Sequence, residues 1–367
     1  MTSPLTSYSA RLARERVRLQ VANGVMELAE GQNRIQQLTR IVQDGDEPIR
    51  ALARRLNFGR RAEEFLSFVV ACSADPVCAA ELLRLQGQSS VHGAAITSYA
   101  AVSGADDDAR ELALALCADH PLTRHSILEA GSATSVTPAL RVWAVSARVP
   151  LFLLGDERVS EPLLGVDVTG LLLYDEQQRG QLDDLARLLD ERKDATIIVE
   201  GPQGSGRTTA VAMAARRFGR RVVCLPLERM GRSLDELDAG LRALRREVAL
   251  TDAIPVIRGV DELDTPDDEP RRRRLEQFVT QSPVPTILTT ALVGQAMRFS
   301  GELVRVQWEV PHPDARRNMW NILAASHQPA HQLDELALDQ LGHRYSLAPG
   351  AMREALGSVL PRLERDG

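Results

Sequence analysis

The sequence predicts an α/β domain with a five-stranded parallel sheet and a helical lid, preceded by a mainly helical N-terminal domain. Three observations carry this. Between residues 195 and 310, short apolar runs alternate with amphipathic stretches of helical length. Strands joined by such helices pair in parallel and place helices on both faces of the sheet. Residues 1 to about 150 show apolar spacing typical of helices, and from Asp314 onward the helical pattern returns. The domains predicted are 1–155, 156–312 and 313–367.

Taken in order, apolar residues recur at helical spacing from Tyr8 to Glu30. Arg60 to Ser73 is a helix apolar enough at Leu66–Val70 to be a core element. Asp75-Pro76 starts the next helix, with Asp as cap and Pro in the first turn. Asp106 to Asp119 is a helix with an acidic first turn, and Ala147 to Leu154 reads as a strand or extended segment. Asp175 to Arg192 is amphipathic, with Leu182, Leu185, Leu188 and Leu189 on one side. The alternation follows: strands at Ala195–Glu200, Arg221–Leu227, Ala253–Val260, Val284–Thr290 and Leu303–Val310, and helices at Thr208–Phe218, Ser233–Val248 and Glu269–Gln281. Ser233 and Glu236 make a capping-box pattern.

Composition excludes several classes. The chain has 367 residues with 44 Lys+Arg against 50 Asp+Glu, and Lys193 is its one lysine. That balance argues against a general polyanion binder, whose affinity comes from many cations neutralising phosphates. Residues 1–150 are neutral overall, with a mild local excess of arginine in the first 61, and that balance favours an adaptor or docking domain over a DNA-binding one, which is usually more basic. No apolar run approaches the ~20 residues of a membrane span, and the N-terminal stretch lacks an apolar signal core. Cys72, Cys78, Cys117 and Cys224 form no CxxC pair, so they read as thiols in a reducing cytoplasm. Pro329 between His327 and His331 argues against a shared metal-binding face.

The central motif is Gly201-Pro202-Gln203-Gly204-Ser205-Gly206-Arg207-Thr208-Thr209, between a strand and a helix. Glycines there free backbone amides to curl around phosphate, and the helix N-terminus adds partial positive charge. Thr208 occupies the position of the hydroxyl that ligates Mg²⁺. Arg207 stands where the pattern requires Lys. Its charge survives, but a planar guanidinium fork replaces a compact ammonium. Losing one well-placed donor to a transition state costs roughly 10²–10³ in rate. Asp261-Glu262 follows an apolar strand 54 positions beyond Arg207. One carboxylate suits Mg²⁺ and the other an attacking water. Thr289 or Thr290, ending the next strand, can hydrogen-bond a γ-phosphate or that water, with Thr290 the assigned residue. Arg353, in the first turn of a helix starting at Pro349-Gly350, can reach phosphates from the lid. Arg271–Arg274 reads as a solvated helix start or as a patch for a subunit or nucleic acid.

These motifs resemble the AAA+ ATPase family over roughly residues 160–365: Walker A (GPQGSGRTT), Walker B (VIRGVDEL), a sensor 1 strand (TILTT) and a lid with a sensor-2-like GAMREAL. LNFGRRAEEFLSFVVACSADPVCAAELL is similar to the helical, winged-helix-type domain that precedes some bacterial AAA+ modules. The resemblance implies bound ATP or ADP with Mg²⁺ on Thr208 and Asp261, and the loop 201–209 as the nucleotide cradle. It also implies catalytic roles for Glu262, Arg207, Thr290 and Arg353. Its expected partners are a protein client and other AAA+ subunits in a homo- or hetero-oligomer. Arg298 and Arg305 are the arginine-finger candidates, neither in the usual context. With Arg207 in place of Lys, the first function implied is nucleotide binding with weak or absent hydrolysis, in assembly or remodelling of a protein. The alternatives are an active ring-forming ATPase and a non-enzymatic scaffold or DNA-linked regulator.

Overall fold

The computed structural model describes residues 4–44, 48–87, 93–104, 106–131, 137–166, 168, 175–192, 195–292, 302–327 and 334–366. The chain divides into two compact units, Met1–Arg158 and Val159–Gly367.

In the first unit the helix Arg60–Ala74 is the core, with Phe65, Leu66, Phe68, Val69 and Val70 buried. Asp75 caps the next helix, Pro76–Gln86, by accepting from the amides of Val77 (2.8 Å) and Cys78 (3.4 Å). Three expectations change. The helical run from Tyr8 to Glu30 is two helices, Pro4–Ala22 and Leu28–Asp44, because Gly24 turns the chain at φ 69°. Residues 147–154 are no strand. Arg148–Leu153 is a short helix in which Pro150 sits in the first turn, where no amide donor is needed. The Arg148 guanidinium lies 5.7 Å from the Phe152 ring centre and donates to the Asp156 carbonyl at 2.8 Å. Three short strands, β1 (Ala94–Ala95), β2 (Leu128–Ala130) and β3 (Val142–Val145), form an antiparallel sheet in the order β1-β3-β2. At two to four residues each they are too short to produce a visible alternation.

The second unit holds a six-stranded sheet of β4 (Leu164–Gly165), β5 (Thr196–Glu200), β6 (Val222–Pro226), β7 (Ile254–Arg258), β8 (Thr286–Thr290) and β9 (Leu303–Gln307). The order is β4-β6-β7-β8-β5-β9. The five strands β5 to β9 pair in parallel, as the sequence predicts, and β4 adds a sixth, antiparallel to β6. Two residues long, β4 escapes any periodicity. The sheet is covered on both faces. Helices Glu176–Glu191 and Arg207–Arg216 bury Leu182, Leu185, Leu189 and Ala210–Ala212 against Ile197, Val199, Val256 and Ile287. Helices Leu234–Thr251 and Glu269–Thr280 bury Leu237, Leu241, Leu275 and Phe278 against Ile198, Ile257 and Leu288. The chain thus leaves β5 on one face and leaves β6 and β7 on the other. Such a reversal opens a crevice at the carboxyl ends of the strands. Helices Pro313–His327, Glu335–Arg344 and Pro349–Asp366 pack around Met319, Trp320, Leu323, Leu338 and Met352.

The Arg271–Arg274 run is internally neutralised: Arg271 pairs with Asp268, Arg272 and Arg273 with Glu269, and Arg274 with Asp238. Cys72, Cys78 and Cys224 are buried free thiols, and burial pushes Cys78 and Cys224 up to about 12. Among the described residues no single helix is long and apolar enough to cross a membrane.

The Asp75 cap carries a pH signature. Burial alone would raise its carboxyl, but the Arg16 guanidinium and the Val77 and Cys78 amides outweigh that and hold it below the usual carboxylate value. A carboxyl depressed on folding adds stability that is full above its unfolded pKa, near 4, and lost as pH falls through the folded value. Asp75→Ala therefore lowers the stability of the first unit by about 1–2 kcal/mol at neutral pH. In urea denaturation at a series of pH values, the gap between wild type and variant narrows only below about pH 4.

Candidate functional site

The crevice is built on the end of β8, which lies between β5 and β7. The carbonyl of Thr290 accepts from the amide of Gly201 (3.2 Å), and that of Thr289 accepts from the amide of Gly259 (3.0 Å). One strand end thereby fixes the first residue of the glycine loop and the first turn after β7. The loop itself needs its glycines. Gly204 and Gly206 sit at φ 77° and 88°, and Gly206 caps the helix Arg207–Arg216 in the left-handed conformation. The Ser205 amide donates to the Pro202 carbonyl at 3.2 Å, closing the turn. Amides in the first turn of a helix have no acceptor within it, so those of the helix beginning at Arg207 face the crevice side of the sheet.

Two groups brace the loop that sequence reasoning did not identify. Trp308, fully buried just beyond β9, donates its indole N–H to the Ser205 carbonyl (2.9 Å) and its backbone amide to the Glu200 carbonyl (2.6 Å). Its own carbonyl lies against Gly201, where a Cβ would fall 2.1 Å from that oxygen. From the other side, the amide of Gly350 at the start of the last helix donates to the Gly204 carbonyl (3.0 Å). A Cβ on Gly350 would meet that carbonyl at 2.7 Å. The partners are 103 and 146 positions apart in the chain, so nothing in the local sequence signals them.

The acidic pair lies on a turn. β7 ends at Arg258, because Gly259 at φ 75° ends the extended run and starts the 3-10 turn Val260–Leu263. The predicted strand through Val260 stops two residues early, and Asp261-Glu262 rides on that turn. Asp261 Oδ1 accepts from the amide of Ala291 at 3.0 Å, tying the turn once more to the end of β8. Glu262 is exposed. Beside them Arg258 pairs with Glu228.

Three polar atoms stand out at this end of the sheet. Ser205 Oγ, Arg207 Nη1 and Thr289 Oγ1 are each buried with no hydrogen-bond partner among the described residues. Ser205 is 2% exposed and Thr289 1%. Such groups cost about 1–3 kcal/mol each unless something satisfies them. By the alternation of the pleat, Thr289 follows Ile287 onto the face covered by the helix that Arg207 begins. Thr290, assigned from sequence, points to the opposite face, and its hydroxyl accepts from the amide of Leu292 (3.1 Å). Burial draws the Arg207 guanidinium pKa down. Asp261 opposes this most strongly, Arg258 adds to it, and Glu228 raises it again. Thr208 and Thr209 are half-buried, and Pro202, Gln203 and Gly204 are exposed.

The remaining candidates separate. Arg353 is exposed just past the first turn of Pro349–Asp366, next to Met352, whose side chain is buried in the core of the C-terminal helices, and three residues from the Gly350–Gly204 bond. Arg305 pairs with Glu200, buried at the end of β5, and so braces this unit from within. Arg298, His331 and Lys193 lie outside the described residues. Among the described residues no group of three or more His, Cys, Asp and Glu side chains could hold a metal ion.

No family model matches the chain, and no curated protein does. Among solved structures, the FIGL-1 AAA domain is similar over 55% of this chain and 77% of its own length, at 14% identity and a TM-score of 0.39. At that distance, the loop geometry and strand order of this chain carry the assignment of the site.

The bracing gives a direct prediction. Gly201→Ala cannot be accommodated without moving the Trp308 backbone, so it disrupts the loop. Trp308→Phe removes the indole donor and part of a fully buried ring but leaves the backbone in place, and costs about 1–3 kcal/mol. Thermal melting of both variants should place Gly201→Ala well below Trp308→Phe, and a Gly201→Ala protein as stable as wild type contradicts the contact.

Proposed function

We propose that this chain is an AAA+-type nucleotide-binding module that takes ATP or ADP on the loop 201–209, hydrolyses it weakly or not at all, and acts in assembly or remodelling of a protein partner. The observation that carries the reading is a glycine loop opening a helix N-terminus, on which Ser205 Oγ and Arg207 Nη1 are buried and unsatisfied, as is Thr289 Oγ1 on the strand whose end holds Gly201. Phosphate oxygens are acceptors, and two hydroxyls, a guanidinium and first-turn amides are the donors that suit them. A bound nucleotide would supply the phosphate chain. The protein's part is to hold it, and Thr208 and Asp261 are the side chains the motif resemblance assigns to Mg²⁺.

Weak hydrolysis follows from Arg207. A guanidinium half-buried in a cradle shaped for an ammonium carries the charge in a different geometry. The winged-helix-type role of the first unit, assembly with other AAA+ subunits and a protein client belong to the same proposal. They are supported by the resemblance of the motifs and by the near-neutral charge of the first unit. One observation favours the working ATPase as second reading: Glu262 is retained, exposed, and held on a turn tied to β8.

Calorimetric titration of ATP and ADP, run beside a steady-state hydrolysis assay, decides between the readings. Saturable binding is expected, with turnover roughly 10²-fold or more below a typical enzyme rate of about 10 s⁻¹. Turnover near that rate, abolished by Glu262→Gln, selects the second reading. Absence of binding by both nucleotides rejects both.

A further inference from the structure

We propose that the first unit carries a binding site of its own, an arginine-lined cavity that takes a phosphate monoester. It uses no residue of the loop 201–209 and stands whatever that loop binds.

The cavity measures about 350 Å³, within the range of small-molecule sites. Four helices build it. Pro4–Ala22 supplies Arg11 and Arg14, three residues apart and so on one side of that helix. Leu28–Asp44 supplies Val42, Pro48–Leu56 supplies Arg50, and Arg60–Ala74 supplies Arg60, Glu63 and Glu64. Among the described residues that line the cavity, four are arginines and two are glutamates, so its wall carries a surplus of positive charge. The arginine excess of the first 61 residues gathers here, since all four arginines lie between positions 11 and 60.

Two of the four are held firmly. Arg11 is 2% exposed and donates to Ser67 Oγ (2.6 Å) and to Glu63 Oε1 (2.7 Å). Arg14 is 4% exposed, and its Nε and Nη2 donate to one oxygen of Glu15, at 3.0 and 2.8 Å. Both carboxylates are shared. Glu63 Oε1 also lies 3.9 Å from Arg50 Nε, and Glu15 Oε1 also accepts from Arg18 at 3.2 Å. Arg60 pairs with Glu64 at 3.2 Å, with the Arg60 side chain exposed.

Buried guanidiniums are costly unless negative charge answers them, and an anion in the cavity would lower that cost. Arginine forks match phosphoryl oxygens two at a time, and arginine clusters recognise phosphate groups in just this way. A phosphate monoester is close to dianionic at neutral pH and presents three strong acceptor oxygens. That charge matches a wall with two more guanidiniums than carboxylates. The cavity is larger than a phosphoryl group alone, and the apolar Val42 on its wall suits the short carbon skeleton of an ester.

The test is calorimetric titration of the full chain with O-phosphoserine, inorganic phosphate and succinate, each with and without saturating ADP. Phosphoserine should bind at least as tightly as inorganic phosphate, more tightly than succinate, and equally well with ADP present. Arg14→Gln should weaken phosphoserine binding about tenfold or more and Arg60→Gln about threefold, while Glu64→Gln, which removes a negative charge, should strengthen it. Melting temperatures report whether each variant is folded. The exposed Arg60 keeps its variant informative should Arg14→Gln fail to fold. A phosphoserine peptide titrated beside the free amino acid identifies the source of the group. Markedly tighter peptide binding assigns it to a modified protein and equal binding to a small ester, and either result supports the site. Four results overturn the proposal: no phosphoserine binding at about 10 mM, binding abolished by ADP, binding unchanged in all folded variants, or tighter binding of succinate.

Discussion

Two backbone hydrogen bonds at the end of β8 hold the site together. Through adjacent carbonyls, Thr289 fixes Gly259 and Thr290 fixes Gly201. The glycine loop and the acidic turn come from strands that are not neighbours, yet both are set by a single strand end between them. This placement depends on the strand order, in which β8 separates β5 from β7. It depends equally on the buried faces that hold β8 at the centre, with Ile287 packed on one side and Leu288 on the other. Displacing β8 would move both halves of the site together.

The surrounding contacts reinforce this arrangement from elements later in the chain. Trp308 holds the Ser205 and Glu200 carbonyls, Gly350 holds Gly204, and the Asp261 carboxylate holds the amide of Ala291. The loop is therefore braced from beneath by the sheet, from one side by the exit of β9 and from the other by the lid helix. A cradle so held keeps buried donors unsatisfied at little further rearrangement, which is how pre-organised binding sites work. The exception is the first residue of its helix. Arg207 keeps the charge the motif requires but brings it with a wider, planar group.

Much of this was legible in the sequence because its signals are local. The glycine spacing from Gly201 to Gly206, the apolar runs before it and before Asp261, and the Asp75-Pro76 cap are patterns within a few residues. What was not legible depends on distance or on parity. Trp308 and Gly350 act across more than a hundred positions. Which face of the pleat Thr289 and Thr290 each occupy is a matter of parity, and a shift of one residue exchanges them. β4 and the three strands of the first unit are too short for alternation to show. Residues 147–154 carried the composition of a strand, but the Arg148 contacts with Phe152 and Asp156 close a helical turn instead. Arg305, a finger candidate from sequence, is tied to Glu200, a pairing that only the β5–β9 register brings about.

The central claim is that the loop 201–209 and the end of β8 form one phosphate-binding surface. Hydrogen–deuterium exchange of the full chain, with and without saturating ADP, tests it most directly. The account predicts slowed exchange in both segments, 201–209 and 289–291, on adding the nucleotide. Slowing confined to other parts of the chain, with these two segments unchanged, would contradict it.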